Sequence, residues 1–316
     1  MHTLAGLDIG GTKIAVSLAN ESGQILAKTR IPTTPNTPPE ALLTTALDQL
    51  TALTEETNRT PTVLGVAAPG PLSYAQGCLL KVPNMPLWQG FALQKWLSDR
   101  FDGPVGLMND ANASMLAEHY WGAAKGINSG VFLTMSTGMG AGLLLDGRVY
   151  EGPSALAGEI GHIRLRETGP VGFGKRGSVE GYLSGPGMVQ VAEAERLICR
   201  QRGEETLLSS EIITPRVLCE AARAGDAAAV RCIQIIGDAL GRLCALLVDL
   251  LNPQVIILGT IGTAYPDLFI PPAMEVVRRE AIAQSAAAVS LVESGLVDRG
   301  NQTAAAVARR LLEQAV

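Results

Sequence analysis

The chain is poor in the features that mark several protein classes. Only 17% of its 316 residues are charged, 4% are aromatic, and 47% are hydrophobic, a balance that excludes disorder of the low-hydropathy, high-charge kind. The net charge is −5 and no cluster of Lys or Arg stands out, so no nucleic-acid partner is expected. The N-terminus lacks a charged stretch followed by an apolar one, and no signal peptide is expected. The longest apolar helix candidate, Leu240 to Leu251, is interrupted by Arg242 and Asp249 and is too short to span a bilayer, so no membrane partner is expected. The five cysteines (Cys78, Cys199, Cys219, Cys232 and Cys244) are scattered and form no C-x-x-C pair. Buried free thiols in a reducing cytoplasm are the simplest expectation.

Against those absences stand 35 glycines and a length that favours two domains in a turn-rich α/β chain. An apolar run, Leu4 to Ile9, delivers Asp8, Gly10, Gly11, Thr12 and Lys13 into one tight turn, from which a second run, Ile14 to Ala19, departs. Paired glycines open backbone conformations closed to other residues and let N–H groups face a ligand. The turn is either an ordinary hairpin or a phosphate-binding one, with Asp8 near a metal-bound water and Thr12 and Lys13 toward phosphate oxygens. Neither the Walker A nor the dinucleotide spacing is present there.

Farther along, the pattern predicts strands over about 24–31, 63–68, 105–109, 130–136 and 254–258. Helices are predicted over 39–57, 91–101, 112–123, 187–202, 214–224, 227–251, 271–284 and 302–315, with a short strand at 289–292. Strands joined by crossover helices imply a mixed or parallel sheet. A second strand–turn–strand unit carries Thr137, Gly138 and Gly140 ahead of Leu143 to Leu145. Two such turns suit the clamping of the two ends of a polyphosphate.

Asp110 ends a buried strand, in Asn109-Asp110-Ala111-Asn112. A carboxylate there faces the crevice where open α/β sheets bind ligands and can take a proton from an attacking hydroxyl, with Asn109 orienting the same substrate. Asp110 equally fits a helix N-cap, a place Asn112 could fill instead. Glu159 and His162 are flanked by glycines, and Glu180 follows in Ser178-Val179-Glu180-Gly181. The three suit either a hydroxyl-rich sugar pocket or a structural role. Asn84, between Pro83 and Pro86, either caps a turn or hydrogen-bonds a substrate, and Gly70 allows close backbone approach.

Taken in order, these motifs resemble the ROK family of repressors, open reading frames and sugar kinases. The resemblance rests on Asp8-x-Gly10-Gly11-Thr12-Lys13, Pro69-Gly70, Pro83-Asn84 with Trp88, Asn109-Asp110-Ala111-Asn112, Thr137-Gly138-x-Gly140-x-Gly142, Glu159-x-Gly161-His162 and Glu180. It implies an α/β actin-like ATPase (ribonuclease H-like) fold with two lobes and a central cleft. The small lobe would be 1–113, with a C-terminal helix at about 302–316 packing back on it; the large lobe would be 114–301. By resemblance Asp110 is the general base for a hexose hydroxyl, usually the 6-OH. Gly70, Asn84, Asn109, Glu159, His162 and Glu180 would hold the sugar. Asp8, Gly10, Gly11, Thr12, Lys13, Thr137, Gly138, Gly140 and Gly259 would hold ATP, with Mg2+ near Asp8 through water. A homodimer is expected on the same ground. Glucose is the default substrate, with N-acetylmannosamine and fructose as alternatives, and a non-catalytic sugar-binding regulator is the reading from another class. No DNA-binding segment precedes Leu4, which disfavours the repressor branch.

Two departures stand out. Many members carry C-x-C-G-x-x-G-C-x-E after the histidine, which binds structural zinc; here Val171, Phe173 and Ser178 replace the thiolates. Such side chains cannot complete a tetrahedral site, so no structural zinc is expected. Packing of Val171 and Phe173 is expected to hold the loop, leaving His162 to the sugar. The adenosine loop, usually Gly-Gly, reads Gly259-Thr260, and both ATP and polyphosphate stay open as donors.

Overall fold

In the computed structural model, residues 2–34, 36–80, 82, 85–209 and 212–314 are described. The chain packs as two units. One comprises the segment ending at Gly126, Gly142–Ala157 and the segment from Gly295 onward; the other comprises Ile127–Ala141 and Gly158–Ser294.

The first unit is laid down by β1 (Thr3–Ile9), β2 (Lys13–Asn20), β3 (Ile25–Pro32), α1 (Pro39–Thr57), β4 (Val63–Ala68), β5 (Leu72–Ser73), β6 (Cys78–Leu79), α2 (Leu93–Ser98), β7 (Val105–Asn109) and α3 (Asp110–Trp121). Its five-stranded sheet has the order β3-β2-β1-β4-β7. The first three strands are antiparallel neighbours, and β1, β4 and β7 run parallel. β4 is buried along its whole length, as expected of a parallel strand covered on both faces.

Period-two alternation divides the two faces. Leu64, Val66 and Ala68 of β4 join Leu42, Leu43, Ala46, Leu50 and Leu53 of α1 in one core. Val63 and Ala67 belong to the opposite face, in clusters shared with the chain's last helix.

Across that second face runs a row of glycines, because Gly6 pairs with Gly65 and Gly65 with Gly106. A Cβ on Gly65 would lie 2.2 Å from the Ala304 carbonyl oxygen and 2.3 Å from the Ala308 nitrogen.

The second unit takes up β8 (Gly130–Leu133); β9 (Ala141–Leu145), which from Gly142 onward counts with the first unit, forms a hairpin with β10 (Arg148–Val149). Asp146 and Gly147 turn that hairpin at φ 51° and 73°, the left-handed pair that a tight two-residue turn requires. There follow β11 (Val171–Gly172), β12 (Lys175–Arg176), α4 (Val179–Leu183), α5 (Gly185–Arg202), α6 (Pro215–Arg223), α7 (Ala227–Leu251), β13 (Val255–Leu258), α8 (Thr260–Ala264), α9 (Pro266–Glu280), α10 (Ala283–Ala288) and β14 (Ser290–Glu293). β8, β13 and β14 pair in parallel. The long α7 lies against α9, where Gly237 and Gly241 give room to Pro272 and Val276. The chain returns to the first unit in α11 (Arg299–Gln314).

Several expected boundaries shift. α3 begins at Asp110 rather than Asn112, because Asn109 takes the N-cap. α9 begins at Pro266 and carries Pro271 and Pro272 inside it; the sequence reading started the helix at the later proline, where one equally fits the first turn. Thr260, read as part of the adenosine loop, instead begins the short α8. Among the described residues, no helix is long and apolar enough to cross a membrane, and the five cysteines are buried and unpaired.

Because Gly65 meets main-chain atoms on α11, no rotamer change relieves a clash there. Gly65→Ala is expected to cost about 3 kcal/mol or more, read as a lower urea midpoint at unchanged m. A midpoint equal to wild type would show that α11 is not held against the sheet this closely.

Candidate functional site

The first set of predicted residues collects at the C-terminal ends of β1, β4 and β7. Asp8 pairs with Ala67, and Ala68 pairs with Asn109, so Asp8, Gly70, Asn109 and Asp110 all lie at one edge of the parallel strands. Counting by twos from Gly6 puts Asp8 on the face covered by α11. A Cβ on Gly300 would approach Asp8 Oδ2 to 2.7 Å, so the first turn of α11 rests on that carboxylate.

Burial pushes the Asp8 pKa up from 3.8 to about 7, with repulsion from Asp110 adding to it and Arg299 and Lys13 opposing it. Arg299 in turn senses Asp8, Asp110 and Glu118, while burial lowers its own pKa. The result is a group of carboxylates with one enclosed guanidinium.

Asn109 is the N-cap of α3: its Oδ1 accepts N–H groups of Ala111 at 3.0 Å and Asn112 at 3.3 Å. The cap, which the sequence left open between Asp110 and Asn112, belongs to Asn109, and Asp110 sits in the first turn, accepting the Ala111 N–H at 2.8 Å. A carboxylate there is favoured by the helix dipole. The Asn109 N–H donates to the Tyr74 hydroxyl at 3.1 Å, and burial raises that phenol to about 12.

At the glycine turn, the Gly10 N–H donates to the Lys13 carbonyl at 2.9 Å, and a Gly10 Cβ would sit 3.3 Å from that oxygen. Thr33 pins the turn from outside, its hydroxyl donating to the Gly10 carbonyl at 3.0 Å. Thr12 and Lys13 stay exposed. Asn84 lies outside the described residues.

The second set lies in the second unit. The turn 137–140 is drawn together by Thr134, whose hydroxyl accepts the Gly140 N–H at 2.8 Å. Glu180 Oε2 accepts the Met139 N–H at 3.2 Å. Gly161 is essential to this approach, since a Cβ there would lie 2.4 Å from the Met139 carbonyl oxygen. Glu180, the turn and the Gly161-His162 step are thus one assembly. Loss of water around it raises the Glu159 pKa, which His162 lowers in part. Burial likewise raises Glu180, opposed by the Met139 N–H and His162 and reinforced by Glu159.

The loop after His162 corrects one expectation. Val171 and Phe173 are 41% and 58% exposed, so their burial does not hold it. Hydrogen bonds do: Gln190 accepts the Val171 N–H at 2.8 Å and donates to its carbonyl at 2.9 Å. Ser178 caps α4 through the Gly181 N–H, and the Lys175 ammonium donates to the His162 carbonyl at 2.6 Å. Phe173 lies on the His162 ring, centroids 4.7 Å apart and planes 21° apart. Among the described residues, no three His, Cys, Asp or Glu side chains are grouped to hold a metal ion.

Gly259 is buried at the end of β13, and Thr260 beside it has φ 41°. A β-branched residue is a rare occupant of that region.

Sequence reading missed Tyr74, Arg299 and the Phe173 stack. Only Arg299 left a signal, a cation between Asp298 and Gly300 ahead of the final helix pattern.

Asp8 gives a pH test on the ligand-free protein. Its folded pKa lies above the unfolded value, so the folded state keeps a proton that the unfolded chain releases between about pH 4 and 7. Stability from this group therefore falls as pH rises through that window. Asp8→Asn is expected to be more stable than wild type at pH 8 by on the order of 1–3 kcal/mol, the gain vanishing near pH 4. Urea unfolding at several pH values checks this, and a pH-independent difference would contradict it.

The family model described as ROK family matches residues 4–310. An N-acetylmannosamine kinase of Citrobacter koseri is 34% identical over 84% of this chain and 85% of its own. A xylose repressor of Caldicellulosiruptor bescii is 27% identical over 89% and 72%. Among solved structures, a ROK family glucokinase of Streptomyces griseus, in complex with glucose and AMPPNP, superposes with TM-score 0.80 at 29% identity over 98% of this chain and 99% of that one.

Proposed function

This chain belongs to the ROK family, with the actin-like ATPase fold of its kinases, and we propose that it phosphorylates a hexose hydroxyl, the 6-OH, using ATP. The observation that carries this reading is the carboxylate pair at the sheet edge. Asp110 stands in the first turn of α3, and Asp8 is so enclosed and so close in charge to Asp110 that its pKa reaches about 7. A sugar-binding regulator needs no base at that place.

In this reading Asp110 accepts the proton of the sugar hydroxyl as its oxygen bonds to the γ-phosphorus and the bond to the ADP oxygen breaks. Phosphoryl transfer asks little covalent chemistry of the protein and much positioning and charge neutralisation. Gly10 and Gly11 leave the first turn without side chains, so its backbone can approach phosphates, and Thr12 and Lys13 face outward to meet them. The turn 137–140 offers a second such backbone, and Gly259 borders the nucleotide. Asp8, driven toward protonation by burial and by repulsion from Asp110, belongs with Asp110 to an oxygen donor set that suits Mg2+; Asp8 would hold it through water. When bound it neutralises phosphate charge.

The sugar-holding candidates of the first unit are Gly70 and Asn109, with Asn84 a further one; those of the second unit, taken by itself, are Glu159, His162 and Glu180. No zinc is assigned to the His162 loop, which its own hydrogen bonds hold. Five buried thiols suit a reducing cytoplasm.

The likeness to an N-acetylmannosamine kinase at 34% identity supports an N-acetylated hexosamine as a second substrate class beside glucose. The likeness to a xylose repressor supports the non-catalytic reading, and one experiment separates the three. ADP release is followed over glucose, mannose, fructose and N-acetylmannosamine, with ATP and polyphosphate as donors, while calorimetry reads sugar binding. Wild type is expected to turn over one hexose class. Asp110→Ala is expected to keep sugar binding and to lose turnover by ~10²–10⁴-fold. Binding without turnover in wild type would establish the regulator, and equal turnover in the variant would remove Asp110 from its role.

A further inference from the structure

Phe173 and Gly174 are the two turn residues between β11 and β12, whose registers are Val171 with Arg176 and Gly172 with Lys175. Both are left-handed, at φ 49° and 69°. Tight hairpins of this kind select Asn, Asp or Gly first in the turn. An aromatic side chain there carries the steric penalty of the left-handed region, where a bulky residue is a true outlier. Nor does burial compensate: more than half of the Phe173 surface is exposed, 58%. Its ring contact is the His162 imidazole, stacked at 4.7 Å.

A large apolar ring held in a strained turn, outside the core, points to a task at the surface. His162 shares its electrostatic surroundings with Glu159 and Glu180. The local assembly is therefore one aromatic ring beside two carboxylates and an imidazole. Ligand sites have that character, apolar surface with a few converging polar groups. A pyranose matches it: hydroxyls around its rim meet the carboxylates and imidazole, and its C–H face carries the slight positive charge that the negative face of an aromatic ring attracts.

We propose that Phe173 is a sugar-contacting, specificity-determining residue whose exposed ring receives the C–H face of the hexose. This rests on the reading of Glu159, His162 and Glu180 as sugar-holding groups. Sugars that present an unbroken C–H face are then preferred over those with an axial hydroxyl on that face.

The test uses Phe173→Asn and Phe173→Leu in the full chain, with glucose and N-acetylmannosamine as probes. Asn suits the left-handed turn, so the two explanations of Phe173 predict opposite signs. For a sugar contact, Phe173→Asn is at least as resistant to urea as wild type while the sugar Kd and KM rise about tenfold. The loss then appears in the sugar KM rather than in kcat or the ATP KM. Phe173→Leu keeps an apolar side chain but no aromatic face, and it is expected to show a similar rise in Kd. A less stable Phe173→Asn with unchanged sugar Kd would make the stack a loop clamp and overturn the proposal. Sugar affinity equal to wild type in both variants would also overturn it. If wild type binds neither sugar, the sugar-kinase reading fails and takes this contact with it, an outcome distinct from wild-type binding that the variants leave unchanged.

Discussion

The first unit depends on α11 being able to lie against bare backbone. Gly6, Gly65 and Gly106 form a row across three parallel strands, and at Gly65 the main chain of Ala304 and Ala308 comes closer than any side chain would permit. The small residues Ala304, Ala305, Ala306 and Ala308 are wholly buried there. Such close packing fixes the path of the helix, because protein interiors hold little slack. The position of the candidate chemistry follows from it. Asp8 stands two residues beyond Gly6 on the same face of β1, so a helix seated on the glycine row must set its first turn against Asp8. Arg299 and Gly300 are delivered to the carboxylates by packing that itself contains no charge.

That arrangement stores electrostatic tension. Asp8 and Asp110 repel each other in a place with little water, and Arg299 relieves the repulsion only in part. The second unit handles its acids differently. Glu180 is tied to the Met139 N–H, and His162 offsets both Glu159 and Glu180. Burial raises the acids of both sets; a guanidinium offsets it in part for Asp8, and an imidazole does so for Glu159 and Glu180.

Much of this was legible in the sequence. The continuous apolar runs at 63–68 and 105–109 read as strands with the bounds observed, since burial on both faces writes itself as hydrophobicity. Asp110 was identifiable because a strand ended in a carboxylate. The choice of cap was not, because Asn109 and Asn112 carry the same amide, and only backbone geometry selects Asn109. Val171 and Phe173 were read as packed because an apolar letter carries no record of exposure. Arg299 was missed for a different reason: its neighbours Asp8 and Asp110 are remote in sequence, and the glycine row that brings them together is made of residues with no side chain to read.

The left-handed residues show how such loops change without losing their course. Among the described residues six non-glycines have positive φ, and Asn58, Asp146 and Asn252 are of types that tolerate it. Thr260 and Phe173 are not. Around Thr260 the main chain is tied on both sides, the Gly259 N–H to the Leu133 carbonyl at 2.8 Å and the Ile261 N–H to the Met135 carbonyl at 2.9 Å. Around Phe173 the β11–β12 pairs and the Gln190 clamp do the same. Strain persists only where surrounding structure over-determines the backbone. A loop fixed in this way can exchange its side chains at a cost in stability alone, so new surface chemistry can arise at Thr260 and Phe173 while Gly259 and His162 stay where the fold puts them.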